Sequence, residues 1–362
     1  MQAIIDQLSS KIRDAAKGGQ PLFILGGGSK YFYGRRPSER IKTLHVSGYQ
    51  GIVNYEPTEL VITARAGTPL TEIESLLHQN GQMLAFEPPY FADTATLGGC
   101  IAAGLSGPRR ASVGAVRDFV LGVRMLDGIG QDLHFGGQVM KNVAGYDVSR
   151  LMVGAMGTLG VLLEVSLKVL PLPAGERTLS LEMDEARAIT FMNRWAAKPL
   201  PISATCYVDN QLFIRLSGAE SAVHAAYTQI GGEDYIDGHA FWKSVREQTH
   251  DFFQPAASLW RLSIKSTTLP LSFPSLSGKQ LIEWNGALRW LASCGDDCST
   301  AADSIRQAVN KAGGHAILFR GNNRSDQIFQ PLGAALLSIH QRLKQKFDPA
   351  GILNPGRLYP EF

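Results

Sequence analysis

The apolar residues of the first twenty positions recur at helical spacing. Ile4, Ile5, Leu8 and Ile12 fall on one stripe and Gly18-Gly19 follows it, which predicts an amphipathic helix with a glycine stop. The period then changes. Leu22 to Leu25 is a short apolar run between turn residues, and Leu60 to Ala64 is another, so both read as buried strands. Thr68-Pro69 opens a second helix whose apolar face is Ile73, Leu76 and Leu77, with Asn80-Gly81 behind it. Val120 to Leu126 and Gln131 to Phe135 flank Asp127-Gly128, a hairpin signature. Val161 to Val169 alternates apolar residues with Glu164, Ser166 and Lys168, the pattern of a strand half-exposed to water.

Beyond residue 175 the pattern is different. Helix-like stretches at 184–197, 219–230 and 300–312 alternate with strand-like ones at 202–208, 211–216, 258–265, 281–284 and 315–319. That order predicts an antiparallel sheet with helices on one face. Leu336 to Lys346 reads as a last helix, and FDPAGILNPGRLYP as a turn-rich tail. The fold class is α+β. Composition marks the same boundary: 25 of the 38 glycines lie in residues 1–175, and all five tryptophans lie from Trp195 to Trp290. The expected domains are 1–175, 176–335 and a tail, 336–362.

Charge narrows the function classes. Thirty-five basic and 32 acidic residues leave +3, spread over both parts, which is not the dense basic face that nucleic acid requires. The most apolar stretch, Leu151 to Leu170, is broken by three glycines, Glu164 and Lys168, so no transmembrane segment is expected. The N-terminus lacks the basic head and unbroken apolar run of a signal peptide. Cys100, Cys206, Cys294 and Cys298 are scattered, as in a reduced, cytoplasmic protein. Cys294 and Cys298 have no second ligand pair, so they read as two free thiols in a polar loop rather than as a metal site.

The candidate chemistry starts at Leu25-Gly26-Gly27-Gly28-Ser29-Lys30. Three glycines after a strand let backbone N–H groups converge on one anion, although a plain tight turn reads the same way. The spacing fits neither GxGxxG nor a Walker A loop. A second segment, Thr94 to Gly107, is built almost wholly of small residues, so backbone there can approach a flat ligand. Gly114 with Asp118, and Gly154 to Val161, repeat the theme. Three such segments and one nest suit an extended ligand with an anionic middle, the size of a dinucleotide.

The order LFILGGGSK, TLGGCIAAGLSGPRR, VGAVRDFVLGVRMLDG, KNVAGYDVSRLMVGAMGTLGVLLEVSLKVLPLP and DPAGILNPGRL resembles the FAD-linked oxidases of the vanillyl-alcohol oxidase type. Within them it most resembles the FAD-binding subunits of bacterial glycolate oxidase. The resemblance implies a two-subdomain FAD-binding domain with 176–335 inserted as an antiparallel-sheet-plus-helices cap. It implies that Leu25, Gly26, Gly27, Gly28, Ser29 and Lys30 wrap the FAD pyrophosphate. Pro88, Pro89, Leu97, Gly98, Gly99, Ala103, Gly104, Ser106 and Gly107 would line the flavin and ribityl chain. Gly114, Asp118, Gly160 and Val161 would hold the adenosine end, and Asn354 would return beside the isoalloxazine. The partners it implies are a larger FAD-binding subunit and an iron–sulfur subunit, with a small 2-hydroxy acid as substrate. The location it implies is the cytoplasm, peripheral to the inner membrane through that complex.

Two departures from relatives stand out. The glycine loop carries no histidine for covalent attachment, so non-covalent FAD is expected, and Cys100 reads as a buried small residue. Hydroxy-acid dehydrogenases of this type resemble one another in GHxGDGNxH and a later EHG. Here Gly314-His315 is followed by Leu318 and Asn322 where Asp and the second His would stand, and EHG is missing, so no metal is expected. His315 is a weak catalytic candidate beside its reading as a strand-start histidine, and no other base is apparent. Lys141, Asn142, Tyr146 and Asp147 suit capping as well as catalysis. Arg109 and Arg110 suit an anion or solvent. Trp242, Trp260, Trp284 and Trp290 suit a core, or a partner surface if exposed.

Overall fold

The computed structural model describes residues 1–38, 41–137, 147–254, 256–273, 278–293, 298–321 and 327–362, with backbone alone at 298–301. The chain forms two compact units: Met1–Leu105 with Ala115–Leu172 and Pro331–Phe362, and Ser106–Gly114 with Pro173–Gln330.

The first unit starts with the helix Gln2–Gly18, which buries Ile5, Leu8, Ile12 and Ala15. Its glycine stop works through Gly19, whose φ of 58° lets the following N–H of Gln20 reach back to Ala15 O at 2.8 Å. That apolar face packs on the strand Leu22–Leu25, its parallel partner Lys42–His45, and Ile352 and Leu353 of the tail. The tail is stitched in: Leu22 N donates to Ile352 O at 2.7 Å, and Asn354 N to Leu22 O at 2.9 Å. A five-stranded antiparallel sheet stands beside this layer, in the order Ile52–Glu56, Val61–Arg65, Val161–Lys168, Val120–Leu126, Asp132–Gly136. The Asp127-Gly128 hairpin joins the last two strands as its signature predicts.

In the second unit an eight-stranded sheet runs Glu233–Asp234, Gly175–Glu182, Gln211–Gly218, Ile202–Val208, Gly278–Glu283, Leu288–Ser293, Ser258–Ser263, His315–Gly321. Every pairing in it is antiparallel. One sequence expectation is corrected here: the helices cover both faces. Leu179, Leu212 and Ile214 share a cluster with Ile189 and Val223 of the helices Glu185–Ala196 and Glu220–Ile230. Their strand neighbours point the other way. On that opposite side Trp242 of the helix Gly238–Glu247 donates to Thr178 Oγ1 at 3.0 Å, and Phe241 meets Phe213 at 4.1 Å between centroids. All five tryptophans are buried, Trp260 to 1% exposure, so they are core rather than an exposed partner surface.

Candidate functional site: a backbone-lined cleft

The strand Leu22–Leu25 pairs in register with Lys42–His45 and ends at Gly26. From there the chain turns through Gly26-Gly27-Gly28-Ser29, with Gly28 at a φ of 74°. The N–H groups of these four residues find no acceptor among the described residues, so they form a nest of donors. The turn is held tightly from behind. Thr94 Oγ1 donates to Gly27 O at 2.7 Å, a Cβ at Gly27 would stand 1.5 Å from Thr94 O, and one at Gly26 would stand 2.6 Å from Thr96 Oγ1.

The small-residue segment forms the second wall. Thr96 caps the short helix Leu97–Ala103 by accepting from Gly99 N at 3.3 Å. Gly98 donates to Ala66 O at 2.7 Å, and a Cβ at Gly98 would lie 2.8 Å from that of Ala66. Glycine is therefore required here by close approach of two backbones. The third wall is the turn Gly157–Gly160 together with the tail. Asn354, buried and at a φ of 43°, accepts from Ile24 N at 2.7 Å and donates from Nδ2 to Met156 O at 2.6 Å. One amide thus ties the first strand, the Met156–Gly160 turn and the tail together. Behind it the Lys344 ammonium donates to Thr158 O at 2.9 Å, Leu353 O at 2.6 Å and Asp348 Oδ2 at 2.7 Å. Burial pushes the Lys344 pKa down, and Asp348 opposes the shift.

These walls line an open cleft. Of the residues singled out in the sequence, Leu25, Gly26, Gly27, Gly28, Ser29, Lys30, Gly98, Gly99, Ala103, Gly160 and Asn354 line it. Pro88, Pro89, Leu97, Gly104, Asp118 and Val161 belong to the same unit but lie outside the lining. Leu97 and Val161 are buried core, Gly104 ends the Leu97–Ala103 helix at a φ of 66°, and Asp118 accepts from Ala115 N at 2.8 Å. Ser106, Gly107 and Gly114 sit in the segment that clusters with the second unit, where Gly107 O accepts from Trp284 Nε1 at 3.0 Å. The sequence reading passed over Phe23, Ile24, Tyr31 and Arg357, all of which line the cleft, while Thr96, Met156 and Gly157 lay inside its small-residue segments without being assigned a contact. Arg357 and Gly157 stood inside quoted motifs; the apolar ones carry no signal beyond core periodicity.

Other candidates resolve into local structure. Arg109 is buried and paired with Glu176 at 2.8 Å, and Arg110 stacks on Trp284 at 4.4 Å. Asp147 caps the helix Val148–Leu151 by accepting from Arg150 N at 3.1 Å. Lys141, Asn142, Tyr146, Cys294 and Asn322 lie outside the described residues. His315 opens the strand His315–Gly321 in the second unit, and partial burial followed by the Arg261 charge holds its pKa below the usual value. Cys100 and Cys206 are buried free thiols; burial pushes Cys100 up to about 12. No three His, Cys, Asp or Glu side chains converge among the described residues. No described helix is long and apolar enough to cross a membrane.

The cleft suits FAD on its own geometry. Unpaired donors face it at the nest, glycine and alanine leave room for a flat ring, and Phe23, Ile24, Val46 and Leu162 supply apolar wall. Residues 3–136 match the FAD binding domain family, and residues 315–358 match the FAD linked oxidases, C-terminal domain. A solved structure of p-cresol methylhydroxylase with substrate bound superposes with a TM-score of 0.75 at 14% identity, covering 99% of this chain and 88% of that one. Fold and family matches together define an FAD-linked oxidoreductase. The chain is 49% identical over 360 residues to the glycolate oxidase subunit GlcE of Escherichia coli (strain K12), covering 99% of this chain and 97% of that protein. It is also 30% identical over 199 residues to the glycolate oxidase subunit GlcD of Bacillus subtilis (strain 168), covering 54% of this chain and 42% of that protein. The chain belongs to the family of the glycolate oxidase subunit GlcE.

Proposed function

We propose that this chain is the FAD-binding subunit of a glycolate oxidase assembly, which oxidises glycolate to glyoxylate and passes the electrons through flavin to an iron–sulfur partner. The observation that carries the reading is the near full-length identity of 49% to the Escherichia coli subunit. A larger flavoprotein subunit is the expected neighbour, because a protein similar to about half of this chain is itself named a glycolate oxidase subunit, GlcD. The assembly belongs in the cytoplasm, peripheral to the inner membrane.

FAD, when bound, supplies a two-electron acceptor. In this reading the N–H groups of Gly26 to Ser29 and the Lys30 ammonium take the pyrophosphate. The small residues Ala66, Gly98 and Gly99 pack on the ring system, and Asn354 fixes the walls on either side. Attachment is non-covalent. The loop offers no histidine, and the Cys100 thiol is buried at 1% exposure and held up to about 12, so no thiolate is available to attack.

One feature favours a second reading, in which the flavoprotein partner oxidises the substrate and this chain only carries flavin. Oxidising a hydroxy acid needs a base for the hydroxyl proton, and among the described residues no histidine or carboxylate lines the cleft. The purified chain, mixed anaerobically with glycolate, separates the two. Bleaching of the flavin bands by this chain alone would give it a complete substrate site. Bleaching only after the partner is added would make it the carrier.

A further inference from the structure

The helix Ala334–Phe347 carries more apolar surface than its own unit covers. Its inner face is set by Lys344 on the carbonyls behind the cleft, by His340 against Tyr359 and Phe362, and by Phe347 against Phe135. Lys344 is the one buried residue of the fourteen. Beside that face runs a second stripe, Leu336, Ile339 and Leu343, at i, i+3 and i+7. Leu336 is 54% exposed and Ile339 44%. Among the described residues they are the only exposed large apolar side chains that share one helix or strand, so the surface is a stripe rather than scatter. The charge around it has one sign. At about 3.6 residues per turn, the exposed Arg342 and Lys346 fall on its outer flank, and no Asp or Glu stands in the helix. Neither cation makes an ion pair among the described residues, and Arg342 Nε donates to Ser338 O at 3.3 Å.

Resting on the reading of this chain as one subunit of an assembly, we propose that this helix docks into an apolar, carboxylate-rimmed groove of the larger flavoprotein subunit. Anchors at i, i+3 and i+7 are the pattern by which one helix enters an apolar groove. The single sign of charge selects the occupant. A second copy of this chain would set Arg342 and Lys346 against a helix that has no acid to offer, whereas carboxylates on a different subunit neutralise them. Helices that lie on membranes carry aromatic anchors and a cation-rich face; this stripe is three aliphatic residues flanked by two cations. The docked helix would also touch the cofactor site through the chain itself. It runs through Asp348, which accepts from Ile352 N and Leu353 N, into the tail that carries Asn354. The partner then sits on the element that closes one wall of the cleft.

The test is assembly rather than turnover. The full chain is coexpressed with the larger flavoprotein subunit, recovered through a tag on that subunit, and the affinity of the separated proteins is measured. Leu336→Glu combined with Ile339→Glu lowers that affinity by roughly a hundredfold. Melting temperature and flavin content stay native, because both side chains are exposed and Lys344 holds the helix from its other side. Arg342→Glu combined with Lys346→Glu costs about tenfold, and the native affinity falls as salt rises. Val53→Glu, at an exposed apolar residue on the far edge strand of the same unit, leaves the affinity unchanged. Native affinity in the Leu336/Ile339 variant would overturn the proposal, and so would an equal loss in Val53→Glu. A chain that is dimeric alone and monomeric in the Leu336/Ile339 variant would give the stripe to a second copy. Binding to phosphatidylglycerol vesicles, lost in that variant while the complex stays intact, would give it to a membrane. Either result overturns the docking proposed. A native chain that never joins the flavoprotein subunit would remove the assembly reading itself, and this docking with it.

Discussion

The two units bury their surfaces with opposite materials. The first builds a cleft from glycine, alanine and bare backbone, and closes it with a few long polar clamps: Asn354, Lys344 and Arg357. The second fills both sides of a wide sheet with large aromatic residues, and its arginines lie on tryptophan rings, as Arg110 on Trp284 and Arg215 on Trp242. Adding atoms should therefore damage the first unit, and removing atoms should damage the second.

The largest expected effect is in the second unit. Trp260→Ala empties a fully buried site and should cost about 3–5 kcal/mol of stability, read as a lower denaturant midpoint, while FAD affinity stays near native. Parallel loss of both would show that the cleft depends on the second unit's core. Next comes Gly27→Val in the first unit. Its Cβ would overlap Thr94 O, so the nest must open at a cost of about 3 kcal/mol, and the chain should leave gel filtration without flavin. Stoichiometric flavin in that variant would refute the nest as the phosphate site.

Asn354→Ala adds nothing and removes a bridge. It leaves Ile24 N–H and Met156 O unpaired in a buried place, a loss of about 2 kcal/mol of folding stability, and loosens the walls so that FAD binds more weakly. Titration of the apoprotein by fluorescence checks it. The smallest effect concerns the buried thiols, one in each unit. Burial raises Cys100 from 9.0 to about 12 and raises Cys206 as well. The folded chain then holds protons that the unfolded chain releases, so this stability is whole below pH 9 and falls as pH climbs toward 12. Cys100→Ala and Cys206→Ala should each flatten that alkaline decline in melting temperature. An unchanged slope in either would mean that its thiol is not sealed off in solution.

The contrast also explains what was legible in the sequence. Elements with one buried face announced themselves: the helix Gln2–Gly18, the strand Ile202–Val208 and the Asp127-Gly128 hairpin all fall where periodicity or turn chemistry places them. The strand Leu288–Ser293 was passed over, since it is buried along its whole length and shows no alternation. So was the helix Gly238–Glu247, whose partner face lies on the less obvious side of the sheet. The nest and the segment around Gly98 were visible because glycine is demanded there by geometry. Arg357 was not singled out, because an arginine in a turn-rich tail looks solvated until the carbonyls that hold it are seen.

By itself the sequence determined the α+β class, the glycine nest and the order of motifs whose resemblance to FAD-linked oxidases marks FAD. Those features are local: they rest on backbone conformation, on periodicity and on residues too small to be anything but close contacts. Tertiary structure alone decided that Ser106–Gly114 joins the second unit, that the tryptophans are core, and that Lys344, Asn354 and Arg357 clamp one cleft. These depend on partners up to hundreds of positions away, since the carbonyls that hold Arg357 belong to residues 31–35. A charge has no meaning for function until the groups that fix and desolvate it are known, and only the folded chain brings them together.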